Sequence, residues 1–134
     1  MSVPGALHHL ELYVRDLERS SEFWGWVLAE LGYEPFQEWD EGISWRPVGE
    51  PDGTYVALVL APDGAADLDR RSVGLNHVAF RGSSREQVDR LTDELHRRDE
   101  RVLYTDRHPY AGGADHYAVF FEDPDGLKVE VVAG

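Results

Sequence analysis

The chain has 134 residues, 42% of them hydrophobic, no cysteine and a net charge of −13. This length suits one domain with a sizeable core, and the absence of cysteine excludes disulfides and thiolate chemistry. The negative charge argues against nucleic acids and anionic membranes as partners. No stretch is as apolar as a membrane span, and the first residues do not resemble a signal peptide, so we expect a cytoplasmic protein.

The first half begins with a strand predicted over Leu7–Val14. Alternation of apolar and polar residues places His9, Glu11 and Tyr13 on the face opposite the core. Because this face is too polar for a core, we expect it to line a cavity. Asp16 then caps a helix that runs to about Leu31. Three further strands are predicted, at Tyr33–Trp39, Ile43–Val48 and Thr54–Ala61.

The second half repeats this order of elements after a linker. The linker, residues 62–74, has no hydrophobic periodicity and is rich in Pro, Gly, Ala and charged residues. A strand over Leu75–Arg81 precedes a helix to about Glu100, and Ser83–Gln87 resembles a capping box. Further strands are predicted at Arg101–Asp106, His116–Glu122 and Leu127–Val132. The fold class is therefore α+β, with two tandem βαβββ modules, 1–61 and 75–134, in a single domain of residues 1–134.

The most informative pattern is an internal repeat of one histidine on the first strand of each module. His9 in the sequence LHHLELY is matched by His77 in LNHVAFR, 68 positions later. A duplicated module places equivalent residues around a pseudo-twofold axis. Two converging imidazoles are the beginning of a metal site.

The chain resembles the vicinal oxygen chelate superfamily, which includes glyoxalase I, extradiol dioxygenases, fosfomycin-resistance enzymes, methylmalonyl-CoA epimerase and bleomycin-resistance proteins. The resemblance rests on HLELYVRD from His9, on the helix start SEFW from Ser21 with Leu31-Gly32, on LNHVAF from Leu75, and on FFEDPDGLKVE from Phe120, the most specific of these. It implies that each mixed sheet curls into half a barrel. It also implies that paired half-barrels enclose one divalent metal ion, with a homodimer as the expected assembly.

The resemblance implies ligands at His9, His77 and Glu130, with Val59 at the position where glyoxalase I has a carboxylate. Two histidines and one glutamate leave one face of an octahedral ion open, as in extradiol dioxygenases. Fe, Mn, Zn and Ni are all candidates. We expect Glu11, Tyr13 and Val59 to line the substrate cavity.

These residues favour a metal-dependent enzyme acting on a small molecule with vicinal oxygens. The most specific form of this hypothesis is dioxygenation of an aromatic ring. Isomerase or lyase chemistry of the glyoxalase or epimerase type is an alternative. Modification of fosfomycin is less favoured, since the chain has a single lysine, Lys128, to hold a phosphonate. A metal-free drug-binding protein of the bleomycin-resistance kind is the other alternative, and the acidity and the four tryptophans suit it.

Two further residues are candidates for proton transfer or substrate contact. His116 and Tyr117 precede a predicted strand and are expected near the mouth of the cavity. A turn residue and a strand aromatic are equally consistent with the pattern. The Gly-containing loop from His108 to Asp115 is a candidate lid.

Overall fold

A computed structural model describes residues 3–134, which form two compact units. The first unit ends at Ala66 and the second runs from Asp67 to Gly134, so the boundary falls inside the predicted linker. Within the described part of the chain, none of the helices is long and apolar enough to cross a membrane.

The first unit is a four-stranded mixed sheet with one helix. Its elements, in chain order, are β1 (His9–Val14), α1 (Leu17–Glu30), β2 (Tyr33–Trp39), β3 (Gly42–Pro47) and β4 (Tyr55–Leu60). The strand order is β1-β4-β3-β2, in which β1 runs parallel to β4 and the other pairs are antiparallel. This order places the first strand of the module at an edge of the sheet, beside its last strand.

Helix α1 begins where the sequence predicts it to begin. The Asp16 side chain accepts a hydrogen bond from the Arg19 backbone N–H at 3.1 Å, which satisfies one of the unpaired donors of the first turn. The apolar stripe of the helix is buried against β2, β3 and β4, and Trp24 is completely buried. The helix therefore covers one face of the sheet and leaves the opposite face uncovered by this helix.

The second unit repeats the architecture of the first. Its elements are β5 (Val78–Gly82), α2 (Arg85–Arg97), β6 (Val102–Leu103), β7 (Ala118–Glu122) and β8 (Lys128–Ala133). The strand order is β5-β8-β7-β6, again with a parallel pair, β5 and β8, and antiparallel pairs elsewhere. The α+β class and the two βαβββ modules are thus confirmed. Each sheet is open, not closed into a barrel.

A reciprocal cap fixes the start of α2. Ser84 Oγ accepts a hydrogen bond from the Gln87 N–H at 3.1 Å, and Gln87 Oε1 accepts one from the Ser83 N–H at 2.6 Å. Val88, Leu91 and Leu95 then face the sheet and are buried. The helix covers one face of the sheet, and the other face carries the polar residues described below.

The predicted strand over Arg101–Asp106 is shorter than expected. Only Val102–Leu103 forms β6, because Tyr104 takes a left-handed backbone conformation with φ 56°. The Tyr104 carbonyl then accepts hydrogen bonds from the N–H groups of Arg107 and His108, so a turn replaces the rest of the strand. Strands β5 and β7 begin three and two residues later than predicted, so His77 and His116 lie one and two residues before them.

The hairpin between β7 and β8 is organised by one buried side chain. Asp123 is 7% exposed, and its Oδ1 accepts hydrogen bonds from the backbone N–H groups of Asp125 at 3.0 Å and Leu127 at 2.8 Å. Gly126 adopts φ 90°, a conformation that glycine takes without strain. This turn sets the register in which β8 enters the sheet.

Candidate metal and substrate site

The second unit gathers two histidines around one buried carboxylate. Glu130 is 4% exposed, and its Oε1 lies 2.9 Å from Nε2 of His77. Its other oxygen, Oε2, makes a short contact with Nε2 of His116. Because a buried carboxylate is costly unless it is paired, these two imidazoles account for its tolerance in the sheet.

The strand pattern explains why these three side chains meet. Glu130 alternates along β8 with Val129 and Val131, which are fully buried, so its side chain takes the opposite face. Glu130 is in register with Ala79 of β5 and with Phe120 of β7. His77 and His116 lie two and four residues before these partners, and although each precedes its strand, both side chains reach Glu130.

The positions of both histidines are supported by neighbours. A Cβ added at Gly112 would lie 2.5 Å from Cδ2 of His116, so the absence of a side chain there makes room for the imidazole. His77 Nδ1 lies 2.7 Å from Asn76 Oδ1, to which it donates a hydrogen bond. Neither Asn76 nor Gly112 stands out in the sequence, because each role depends on how the local backbone orients a neighbouring histidine and not on a periodic pattern.

The hydrogen bond to Asn76 determines which ring nitrogen of His77 carries a hydrogen and which faces Glu130 with a lone pair. With Nδ1–H donated to an amide oxygen, a neutral ring has a lone pair at Nε2, and this lone pair faces a carboxylate oxygen. Two acceptors at 2.9 Å require a proton or a cation between them. Two ligand atoms each about 2.1 Å from one ion, at right angles, are about 3 Å apart, so this pair fits an edge of a coordination shell.

The side chains of the cluster are arranged for hydrogen bonding and do not have the geometry of a complete metal site. Among residues 3–134, no three His, Cys, Asp or Glu side chains are placed so that they could hold an ion together. A three-ligand site would therefore require the imidazoles to turn or a further donor to approach.

The first unit holds the repeated histidine in a cluster of aromatic rings. The His9 ring stacks on Tyr55 at a centroid distance of 4.8 Å, and its Nε2 lies 3.7 Å from Oε2 of Glu11. His8 Nδ1 lies 2.9 Å from His9 Nδ1, although alternation assigns the two residues to opposite faces. This contact could not be predicted, because His8 precedes the first residue of β1 and is not bound by its alternation.

The residues predicted to line a substrate cavity lie together in the first unit. A cavity of about 180 Å³ is lined by Glu11, Leu12, Tyr13 and Val59. Tyr13 and Val59 are register partners on the parallel strands β1 and β4, which explains their proximity. Tyr13 is 70% exposed and so is available to contact a ligand.

The structure separates the two residues predicted as proton donors. His116 reaches Glu130, whereas the Tyr117 hydroxyl donates a hydrogen bond of 2.5 Å to Asp89 on α2, on the opposite side of the sheet. This hydrogen bond raises the pKa of Tyr117. Of this pair, only His116 joins the cluster around Glu130.

Comparison with known proteins places the chain in a family. Residues 6–131 match the model of the Glyoxalase/Bleomycin resistance protein/Dioxygenase superfamily, and the chain belongs to this superfamily. The match spans both units, so both βαβββ modules are part of the family's domain.

Similar proteins include one from Bacillus subtilis (strain 168) and several of known structure. The Bacillus subtilis protein, YqjT, is uncharacterised; it is 54% identical over 129 residues, which cover 95% of this chain and 98% of its own. A Bacillus halodurans protein, provisionally named a glyoxalase, is 48% identical with a TM-score of 0.91, over 98% of this chain and 97% of its own. FosX from Listeria monocytogenes, a fosfomycin resistance protein, is 20% identical with a TM-score of 0.70, over 98% and 95%, and shares the fold.

Proposed function

We propose that the protein is a metal-dependent enzyme acting on a small molecule with two adjacent oxygen atoms. His9, His77 and Glu130 are the proposed ligands of one divalent ion, which is Fe, Mn, Zn or Ni. The observation that carries the proposal is the 2.9 Å pair formed by His77 Nε2 and Glu130 Oε1, with the Nδ1 of that histidine held by Asn76. Structures of FosX include a complex with Mn(II) and dihydroxypropylphosphonic acid, which supports metal chemistry in the superfamily.

The donor set matches this class of chemistry. An ion bound by two imidazoles and one carboxylate acts as a Lewis acid on adjacent substrate oxygens. Glu130 supplies one negative charge to the site. His116 is partly exposed and contacts Glu130 Oε2, and its proposed role is to exchange a proton between the substrate and water.

Metal content is the direct test of the proposal. The wild-type protein, purified without chelators or a metal-affinity tag and reloaded with each of the four metals, is expected to retain about one ion per chain. Glu130→Gln and His77→Ala should lose it, because the first removes the negative charge of the site and the second removes a ligand atom. His96→Ala is the matched control, since His96 is an exposed histidine on α2 and should not alter retention. Failure of the wild type to retain any of the metals would contradict the proposal.

The reaction class is tested on the metal-loaded protein. Extradiol cleavage of a catechol is the first candidate, and oxygen uptake together with the absorbance of the ring-opened product reports it. Isomerase or lyase activity of the glyoxalase or epimerase type is the alternative, and it proceeds without oxygen uptake. His116→Ala should reduce turnover in either case while leaving metal content near that of the wild type.

A metal-free binding protein is a second candidate, favoured by the 180 Å³ cavity of the first unit. Glu11 and the exposed ring of Tyr13 are suited to a planar cationic compound. Ethidium binding to metal-free protein, abolished by Glu11→Gln and unaffected by Glu130→Gln, would favour this candidate over the enzyme.

We also propose a homodimer of about 30 kDa, twice the mass of the 15.2 kDa chain. Strands β1 and β5 are edge strands of their sheets, and exposed edges favour pairing. Light scattering at micromolar concentration and physiological salt tests this, and a monomer would contradict it. Coexpression of His9→Ala with Glu130→Ala chains restores one intact metal site per heterodimer only if the two ligands come from different copies.

A further inference from the structure

The polar face of the second unit carries a second group of residues beside the Glu130 cluster. Lys128 lies two residues before Glu130 on β8, so both side chains take the same face, with Cα atoms about 6.6 Å apart. Lys128 is the only lysine of the chain. Its Nζ donates a hydrogen bond to the Tyr104 hydroxyl at 3.1 Å. A single lysine at this distance from the candidate ligands is well placed to contact the same bound molecule.

Tyr104 is held in an unusual backbone conformation where it meets Lys128. Its φ of 56° is uncommon for a bulky residue, and such conformations cluster at functional sites. The Arg107 guanidinium lies 4.9 Å from the centre of the Tyr104 ring. The hydrogen bond from Lys128, together with the charges of Lys128 and Arg70, lowers the pKa of Tyr104.

This corner is rich in positive charge, although the chain has a net charge of −13. The cross-strand neighbour of Lys128 is Glu122, whose carboxylate is already shared by Arg101 at 3.2 Å and Arg70 at 3.9 Å. One carboxylate therefore faces several cationic groups. Because Glu122 is engaged by two arginines and Glu130 by two histidines, the positive charge of Lys128 can attract an anion to a surface that elsewhere repels them.

An aromatic ring joins this corner to the Glu130 cluster. The centre of the Phe120 ring lies 5.8 Å from that of His77 and 5.4 Å from that of Tyr104. Lys128 Nζ lies 5.9 Å from the same ring. A ligand lying over Phe120 can reach both the carboxylate cluster and the lysine.

We propose that Lys128 and Tyr104 bind an oxyanion group, such as a carboxylate, of the substrate whose adjacent oxygens would lie beside Glu130. The inference rests on the proposed function and narrows its substrate class to acids. Lys128 supplies the charge, and the Tyr104 hydroxyl supplies a second donor when the lysine turns to the ligand. The two groups thus favour a molecule in which the anionic group and the two adjacent oxygens are separated by about the length of a lysine side chain.

The test compares two probes that differ in one charge. The probes are 3,4-dihydroxybenzoate and 3,4-dihydroxybenzamide, which share the adjacent hydroxyls and the ring. Titration calorimetry on wild-type protein is expected to show at least tenfold tighter binding of the acid. Lys128→Met should abolish this preference, Lys128→Arg should retain most of it, and Tyr104→Phe should reduce it. Arg90→Met, which removes one exposed positive charge from α2, is the matched control and should leave the preference unchanged.

The outcomes separate the possible anions and the two proposals. Competition by inorganic phosphate for the acid's site would identify a general oxyanion site, and a preference for the acid without competition would identify a carboxylate site. Equal binding of the two probes by the wild type, or a preference that survives in Lys128→Met, would overturn the inference. Titrations with and without Mn(II) keep the proposals distinct, because a Lys128-dependent preference without metal retention contradicts only the metal proposal.

Discussion

Replacement of Leu95 by alanine tests the packing that supports the polar face of the second unit. Leu95 is fully buried on α2, and this helix contacts all four strands of the sheet, including β8, which carries Glu130. The change removes three carbon groups, worth about 0.8 kcal/mol each, or about 2.4 kcal/mol in transfer free energy. The cavity left behind raises the expected loss in the free energy of unfolding to about 3–4 kcal/mol.

Two measurements report this loss. Guanidinium denaturation followed by circular dichroism gives the free energy of unfolding of the variant and of the wild type. Amide hydrogen exchange isolates the second unit, since amides of β7 and β8 should exchange a few hundredfold faster, at about 1.4 kcal/mol per factor of ten. Arg90→Ala is the control, because Arg90 is an exposed residue of the same helix and its loss should change stability by no more than about 0.5 kcal/mol.

The result that would refute the reasoning is a small effect. A loss under about 1 kcal/mol in Leu95→Ala, or a loss equal to that of the control, would mean that α2 does not pack on the sheet through this side chain. Exchange that accelerates only within α2, with β7 and β8 unchanged, would show that the helix does not stabilise the strand that carries Glu130.

Three further predictions concern other parts of the chain. Gly42→Ala should destabilise the protein by about 1–3 kcal/mol in thermal denaturation, since the added Cβ would lie 2.2 Å from the Trp39 side chain. The same change in a Trp39→Ala background should cost less stability. An equal cost in the two backgrounds would contradict this contact. The tyrosinate absorbance of Tyr104 should appear at a lower pH than that of an ordinary tyrosine, and Lys128→Met should shift it upward. The associated stabilisation is fully present above the ordinary tyrosine pKa and is lost as the pH falls through the lowered one, so an effect on stability at neutral pH would be unexpected. Val59→Glu should tighten binding of Mn(II) at least tenfold by adding a carboxylate, and an unchanged affinity would show that Val59 lies away from the metal.

Most of the fold follows from short-range patterns in the sequence. Asp16 and Ser84 cap the two helices where their residue types predict, because capping depends on neighbours within one turn. Alternation along β1 and β8 correctly assigns their core faces, since the period of a strand is fixed by its backbone. The length of β6 could not be predicted, because the left-handed conformation of Tyr104 is uncommon for a tyrosine and has no sequence signal.

The candidate site follows from the sequence only in part. His77 is recognisable because it belongs to an internal repeat, and Glu130 is recognisable because it is a charged residue in an apolar strand. The contact of His116 with Glu130 depends on the path of the loop from Tyr104 to Ala118, which no periodicity describes. The contact of Lys128 with Tyr104 depends on the turn that follows β6, and no pattern in the sequence predicts that turn.

The Asp123 turn has a consequence for how this fold acquires new activities. Its geometry is held by a carboxylate bonded to backbone N–H groups, so it does not depend on the side chains at positions 128 and 130. Those two positions face the same way at a fixed spacing, and neither side chain takes part in the hydrogen bonds that hold the turn. A small library that varies only Lys128 and Glu130 would therefore show how substrate preference and reactivity depend on these two side chains, while the hydrogen bonds of the turn stay the same.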